Sequence, residues 1–172
     1  MADRALVVLS HGLESGPQAT KVAALAEVCA ELGWESVRPD YRALDRGIDR
    51  ETVEARLSRL IDHALGANPL VLAGSSLGAY VSALASRRLP VAGLFLIAPP
   101  VELPGVEIEF DPAPVPTMIV HGWADELIPA EAVIAFARSR RTGLALFEDD
   151  HRLHRHVPAI AALFREFLRG LA

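Results

Sequence analysis

The chain has 172 residues, of which 51% are hydrophobic, enough for one domain spanning residues 1–172 with a full apolar core. Its formal charge of −5 is spread over interspersed acids and bases, which argues against a nucleic-acid partner, and no apolar run is long enough for membrane insertion or a signal peptide. The lone cysteine, Cys29, cannot form an internal disulfide, so a reducing, cytoplasmic location is expected.

The first third of the chain predicts two strands separated by a helix. Residues 5–9 form an apolar run without alternation, typical of a strand buried on both faces of a parallel sheet. A loop with two glycines and a proline follows at residues 10–17. Apolar side chains at helical spacing over residues 22–32 predict a helix that ends at a glycine and holds Cys29 in its core-facing stripe. Residues 35–38 then predict a short strand near an edge.

The middle of the chain repeats this alternation. Residues 53–64 have an apolar helical stripe, and residues 70–73 are a second continuous apolar run. A helix is predicted from there to about residue 88, and residues 93–98 predict a fourth buried strand. Residues 99–116 are rich in proline and acids and lack a helical period, so we interpret them as a loop.

The last third predicts two more strands and two helices. Residues 117–121 form the fifth strand, and Pro129 is suited to the first turn of the helix after it. Residues 144–147 form the last strand, and residues 160–168 form an amphipathic terminal helix. Strands that alternate with helices in this way build a parallel sheet covered on both faces, so the fold class is α/β.

The stretch on which the functional interpretation depends is the G-x-S-x-G at residues 74–78. Between a buried strand and a helix, this spacing is that of a nucleophile elbow, in which Ser76 lies at the apex of a tight turn. Gly74 and Gly78 allow strand and helix to approach closely, and the helix N-terminus offers free amides to a developing oxyanion. The alternative is a glycine-rich turn with an incidental serine.

Polar side chains follow four of the predicted strands: His11, Ser76, Asp125 and His151. The carboxyl ends of parallel strands meet at one edge of the sheet, where ligands bind in such folds. A serine hydroxyl needs a general base, and the base needs a carboxylate that orients it. We therefore predict Ser76 as nucleophile, Asp125 as orienting acid and His151 as base, with Glu126 as the alternative acid.

Other histidines offer alternatives to this assignment. His154 and His156 compete with His151 for the role of base but lie farther from the strand end. His121 is interpreted as a structural residue of a turn. The histidine cluster lacks the spacing of a zinc site, and dinucleotide and phosphate-loop motifs are missing, so no metal and no cofactor are expected.

These motifs resemble the α/β-hydrolase superfamily over nearly the whole chain. The matching segments are residues 11–12, 74–78, 121–125 and 151. Within the superfamily the chain is similar to small lid-less YqiA-like esterases and retinoblastoma-binding serine hydrolases, through residues 11–17 with Lys21 and residues 74–80.

The resemblance implies a fold and a set of roles. Ser76, Asp125 and His151 would be the triad, and the backbone N–H groups of Leu13 and Leu77 would form the oxyanion hole. Only one strand precedes the oxyanion loop, where the superfamily usually has two, so six parallel strands in the order 2-1-3-4-5-6 are expected. A short loop at residues 99–116 replaces the usual helical lid, which implies an open site.

The resulting hypothesis is a serine hydrolase that acts on esters or thioesters of small acyl substrates. A second hypothesis is a non-catalytic binding protein on a hydrolase scaffold, because fold alone does not determine function. A third keeps the enzyme but makes it a peptidase or amidase. The oligomeric state and the physiological substrate do not follow from these patterns.

Overall fold

The computed structural model describes residues 4–171 and contains six strands and five α-helices among them. The strands are β1 (Leu6–Ser10), β2 (Glu35–Val37), β3 (Leu70–Ser75), β4 (Gly93–Ile97), β5 (Thr117–Gly122) and β6 (Gly143–Phe147). The helices are α1 (Thr20–Glu31), α2 (Arg50–Ala64), α3 (Leu77–Ala85), α4 (Ala130–Arg140) and α5 (Val157–Leu171). A short 3-10 turn, His154–His156, leads into α5.

The strands form one sheet in the order β2-β1-β3-β4-β5-β6, and every neighbouring pair is parallel. This confirms the predicted α/β fold, the strand order and the absence of an antiparallel pair among the described strands. Every residue of β1, β3 and β4 is buried. Their uninterrupted apolar runs reflect this burial, because side chains on both faces of these strands pack against helices.

The helices cover the sheet in two layers. Side chains of α2, α3 and α4 pack on one face, against alternate strand residues such as Leu6 and Leu72. Helices α1 and α5 pack on the other face, against residues such as Val7 and Phe95. Cys29 of α1 is fully buried there, as predicted, and burial raises the pKa of its thiol to about 12.

Element boundaries differ from the predictions by a few residues. Strand β3 runs to Ser75 rather than residue 73, directly before the elbow, and α3 ends at Ala85 before a turn that reaches Leu89. Residues 99–116 contain neither helix nor strand, as expected. Within this segment, Val106 and Phe110 are buried in the core layer formed by α2, α3 and α4. In the described part of the chain, no helix combines the length and the apolarity needed to cross a bilayer.

Candidate active site

The turn between β3 and α3 holds Ser76 in a strained backbone conformation. Its φ of 54° and ψ of −120° lie outside the regions that most residues adopt. A Cβ added at Gly74 would overlap the backbone of Gly78, and one added at Gly78 would overlap the carbonyl of Ser10 in β1. The two glycines therefore allow the strand and helix to meet, and the turn presents the Ser76 side chain at the carboxyl edge of the sheet.

The side chains of Ser76, His151 and Asp125 form a hydrogen-bonded chain at this edge. Ser76 follows β3 directly, Asp125 lies three residues after β5, and His151 lies four residues after β6. His151 Nε2 is 3.0 Å from Ser76 Oγ, and His151 Nδ1 is 2.7 Å from Asp125 Oδ2. The parallel topology thus brings together three residues that are up to 75 positions apart.

Asp125 fixes the tautomer of His151. Its carboxylate oxygen can only accept, so Nδ1 carries the proton and Nε2 is left to accept from the Ser76 hydroxyl. The second oxygen, Oδ1, accepts from the amides of Leu127 and Ile128 at 2.9 and 2.8 Å. Burial raises the pKa of Asp125, but the hydrogen bonds from His151 and the two amides outweigh it and lower the pKa below its usual value. The acid is therefore ionised and held in place.

The two predicted oxyanion donors are the backbone amides of Leu13 and Leu77. Leu77 is the first residue of α3, where an amide has no acceptor within its own helix. Neither amide donates to a backbone carbonyl among residues 4–171. Gly12, which precedes Leu13, lies against the elbow, since a Cβ added to it would sit 3.5 Å from Ser76 Cβ. Leu13 lines the cavity that contains Ser76, and Leu77 follows Ser76 in the chain, while their role as oxyanion donors stays a prediction.

The competing residues are placed differently. The carboxylate of Glu126 accepts a hydrogen bond from the backbone amide of His151, with Oε2 3.3 Å from the nitrogen, and not from the imidazole ring. His156 has its own carboxylate, Asp149, with Nδ1 2.8 Å from Oδ2, and its ring stacks on Phe147. His154 is exposed at the rim of the cavity described next.

His121 is buried in β5 and lies behind Asp125. Its Nε2 donates to the carbonyl of Ile128 at 2.9 Å and is 3.4 Å from Asp125 Oδ2. Burial lowers the pKa of His121. The structural role predicted for it fits these contacts, because the bond to Ile128 closes the loop that carries Asp125.

A cavity of about 600 Å³ opens beside Ser76. Its walls come from the loop after β1, the first turn of α1, the elbow and the loop after β6, with Ile48 and Leu127 at its rim. Lys21 lies in the wall and donates to the carbonyl of Arg152 at 2.5 Å. Burial lowers the pKa of Lys21. No residue from the segment 99–116 lines this cavity.

Two residues, Arg56 and Tyr41, contact the loop after β1, and Asp45 pairs with Arg56; none of the three was predicted from the sequence. Arg56 of α2 is fully buried and bonds the carbonyls of His11 and Gly12, while Asp45 pairs with its guanidinium. Tyr41 donates its amide to His11 Nε2 at 3.0 Å. The signal that could have revealed Arg56 is its position in the apolar stripe of α2, three residues after Val53.

Among residues 4–171, no cluster of three or more histidine, cysteine or acidic side chains is arranged to hold a metal ion. A hydroxyl, an imidazole and a carboxylate in this order can generate a nucleophile and move its proton.

Comparisons with known proteins identify the family and the fold. The family model described as an alpha/beta hydrolase domain matches residues 3–159. The structure is similar to that of a candidate hydrolase of the alpha/beta superfamily from Xanthomonas campestris pv. campestris, with 46% identity and a TM-score of 0.91 over 97% of this chain and 99% of that chain.

Two further structures share the fold. An alpha-beta serine hydrolase homologue from Coxiella burnetii is 26% identical, with a TM-score of 0.73 over 99% of this chain and 86% of that one. A serine hydrolase without a lid from Xanthomonas campestris is 22% identical, with a TM-score of 0.76 over 99% and 84% of the two chains. A search of curated proteins gave no match.

Proposed function

The chain belongs to the alpha/beta hydrolase family, and we propose that it is a serine-dependent hydrolase of carboxylic esters or thioesters. The observation that carries the proposal is the continuous path from Ser76 Oγ through His151 to the ionised Asp125, at 3.0 and 2.7 Å. A serine in strained backbone at the foot of an open cavity, with its hydroxyl already bonded to an imidazole acceptor, is arranged for nucleophilic attack.

The proposed reaction uses each group at a stated atom. Ser76 Oγ attacks the acyl carbon while its proton moves to His151 Nε2, and Asp125 stabilises the resulting imidazolium through Nδ1. The amides of Leu13 and Leu77 bind the oxyanion. His151 then protonates the departing alkoxide or thiolate. Water attacks the acyl-enzyme by the same route, releases the acid and restores the Ser76 hydroxyl.

The cavity favours small acyl substrates with apolar character. Ile48 and Leu127 at its rim are 50% and 67% exposed, so they offer apolar surface to a bound acyl or alcohol group. The segment 99–116 packs against the core instead of covering the site: the hydroxyl of Tyr80 donates to the carbonyl of Ile108 within it. Because none of residues 4–171 forms a lid over Ser76, a preference for short acyl chains and no interfacial activation are expected.

A substrate panel tests the proposal. Purified protein is assayed on p-nitrophenyl esters with acyl chains of about two to about twelve carbons, a range that spans the cavity. It is also assayed on a thioester and an anilide. Turnover of short esters or thioesters that is lost in Ser76→Ala and kept in Ser75→Ala supports it. Faster turnover of the anilide would favour a peptidase or amidase, and no turnover at all would favour a binding protein.

A further inference from the structure

The carbonyl groups of His11 and Gly12 are held by a single buried guanidinium. Arg56 Nη1 donates to the carbonyl of His11 at 2.7 Å, and Nη2 donates to that of Gly12 at 3.1 Å. The side chain of Arg56 is fully buried, although arginine seldom is unless it is paired. A buried cation that bonds two successive carbonyls of one loop restricts the rotation of both peptide units.

The guanidinium is itself fixed by Asp45. Arg56 Nε donates to Oδ1 at 2.7 Å and Nη2 to Oδ2 at 2.6 Å, a two-point pairing of planar groups. The ring of Tyr41 lies 4.6 Å from the centre of the guanidinium. Since the carboxylate and the ring define the plane of the guanidinium, the direction in which it donates to the loop is also defined.

The peptide unit between Gly12 and Leu13 links the Arg56 hydrogen bond to the orientation of the Leu13 N–H group. A trans peptide is planar, so its C=O and N–H point in opposite directions. The Gly12 carbonyl accepts from Arg56 and from His11 Nδ1, the latter at 2.7 Å. The Leu13 N–H of the same unit must then point away from these donors, and Leu13 lies in the wall of the cavity that contains Ser76.

We propose that Arg56, anchored by Asp45, is a positioning residue that aims the Leu13 amide at the oxyanion of the transition state. This inference rests on the proposed serine hydrolase function. Arg56 does not touch the reacting atoms; it acts through the Gly12 carbonyl. Arg56→Lys would keep the charge but lose the planar set of donors. A lysine ammonium has no rigid plane and cannot bond Asp45 and the two carbonyls in the same geometry.

A neighbouring arginine provides a matched control. Arg59 lies one turn farther along α2 and also donates to a backbone carbonyl, that of Asp40 at 2.6 Å. Asp40 lies in the segment between β2 and α2, not in the loop that carries Leu13. Arg59→Lys therefore changes a similar contact in the same part of the fold without altering the Gly12 peptide.

The test compares Arg56→Lys, the double variant Arg56→Met with Asp45→Leu, and Arg59→Lys. The double variant replaces a buried ion pair by apolar side chains of similar size, an exchange that is often neutral for stability. Each is assayed on a short oxo-ester and on the corresponding thionoester, whose sulfur accepts hydrogen bonds more weakly than oxygen. The ratio of the two kcat/KM values reports how strongly the oxyanion donors act. A loss of folded protein lowers both values equally and leaves this ratio unchanged.

For both Arg56 variants, kcat on the oxo-ester should fall roughly tenfold to a thousandfold, with a smaller change in KM. The oxo-ester to thionoester ratio should fall with it, while Arg59→Lys keeps the wild-type ratio. An unchanged ratio in the folded Arg56 variants, with active wild type, would overturn this inference and leave the hydrolase proposal standing. Inactive wild-type protein with unlabelled Ser76 would overturn both.

Discussion

Replacing Asp125 by asparagine should reverse the polarity of the bond that orients the base. The wild-type carboxylate accepts from His151 Nδ1 at 2.7 Å and from the amides of Leu127 and Ile128. An asparagine carbonyl can still accept from the two amides, which leaves its NH₂ group facing the imidazole. His151 would then carry its proton on Nε2 and could no longer accept the proton of Ser76.

The expected loss is large because the wrong tautomer stops proton transfer in every turnover. In the Ser-His-Asp template, the same exchange lowers kcat about 10⁴-fold, which corresponds to about 5.4 kcal/mol of activation free energy. The fold should survive, since the two backbone bonds remain and the bond to His151 is reversed; even its complete loss would cost only about 1 kcal/mol of unfolding free energy.

Turnover of a short p-nitrophenyl ester and a thermal melt measure the two effects in Asp125→Asn. Glu126→Gln is the matched control, because Glu126 contacts only the backbone amide of His151. It should keep most of the activity. Folded Asp125→Asn that retains a tenth or more of wild-type kcat, or an inactive Glu126→Gln, would show that Asp125 does not orient the base.

Three further predictions follow from the same contacts. His151→Ala should abolish turnover, whereas His156→Ala should retain it, because the His156 ring is bonded to a different carboxylate. The reverse result in the ester assay would identify His156, not His151, as the general base. Gly78→Val should be both inactive and destabilised, since its side chain would overlap the β1 backbone; a wild-type melting temperature would contradict this. Burial raises the pKa of Asp149, but hydrogen bonds from His156 and from nearby donors lower it to about 2, below the ordinary 3.8. The carboxylate of Asp149 therefore stabilises the fold above the ordinary pKa and loses this effect as pH falls toward 2. Urea unfolding of Asp149→Asn should show a deficit at pH 7 that narrows on acidification, and a constant deficit would refute it.

The central strands β1, β3 and β4 were predictable because they are buried on both faces. A run such as residues 70–73 has to be apolar throughout when helices cover both sides, so burial is visible in the sequence. The elbow was predictable because two glycines two residues from one serine meet a steric demand that is local to the turn. The four predicted positions at strand ends then follow from the topology, since parallel strands end at one edge.

The support for the loop after β1 was not predictable in the same way. Arg56 sits in a helix among other charged residues, and only tertiary pairing with Asp45, on a different segment, makes its burial favourable. The pairing of His156 with Asp149 is closer in sequence but hidden among several histidines and acids. Hydrophobic periodicity records which face of a helix is buried, but not which polar group on that face finds a partner.

The central claim is that Ser76 is the nucleophile, and covalent labelling tests it most directly. The protein is treated with a fluorophosphonate, and the modified peptide is identified by mass spectrometry. One label is expected, on Ser76, that is absent in Ser76→Ala, is kept in Ser75→Ala and forms much more slowly in His151→Ala. A wild-type protein that hydrolyses esters while its label falls on another residue would show that Ser76 is not the nucleophile.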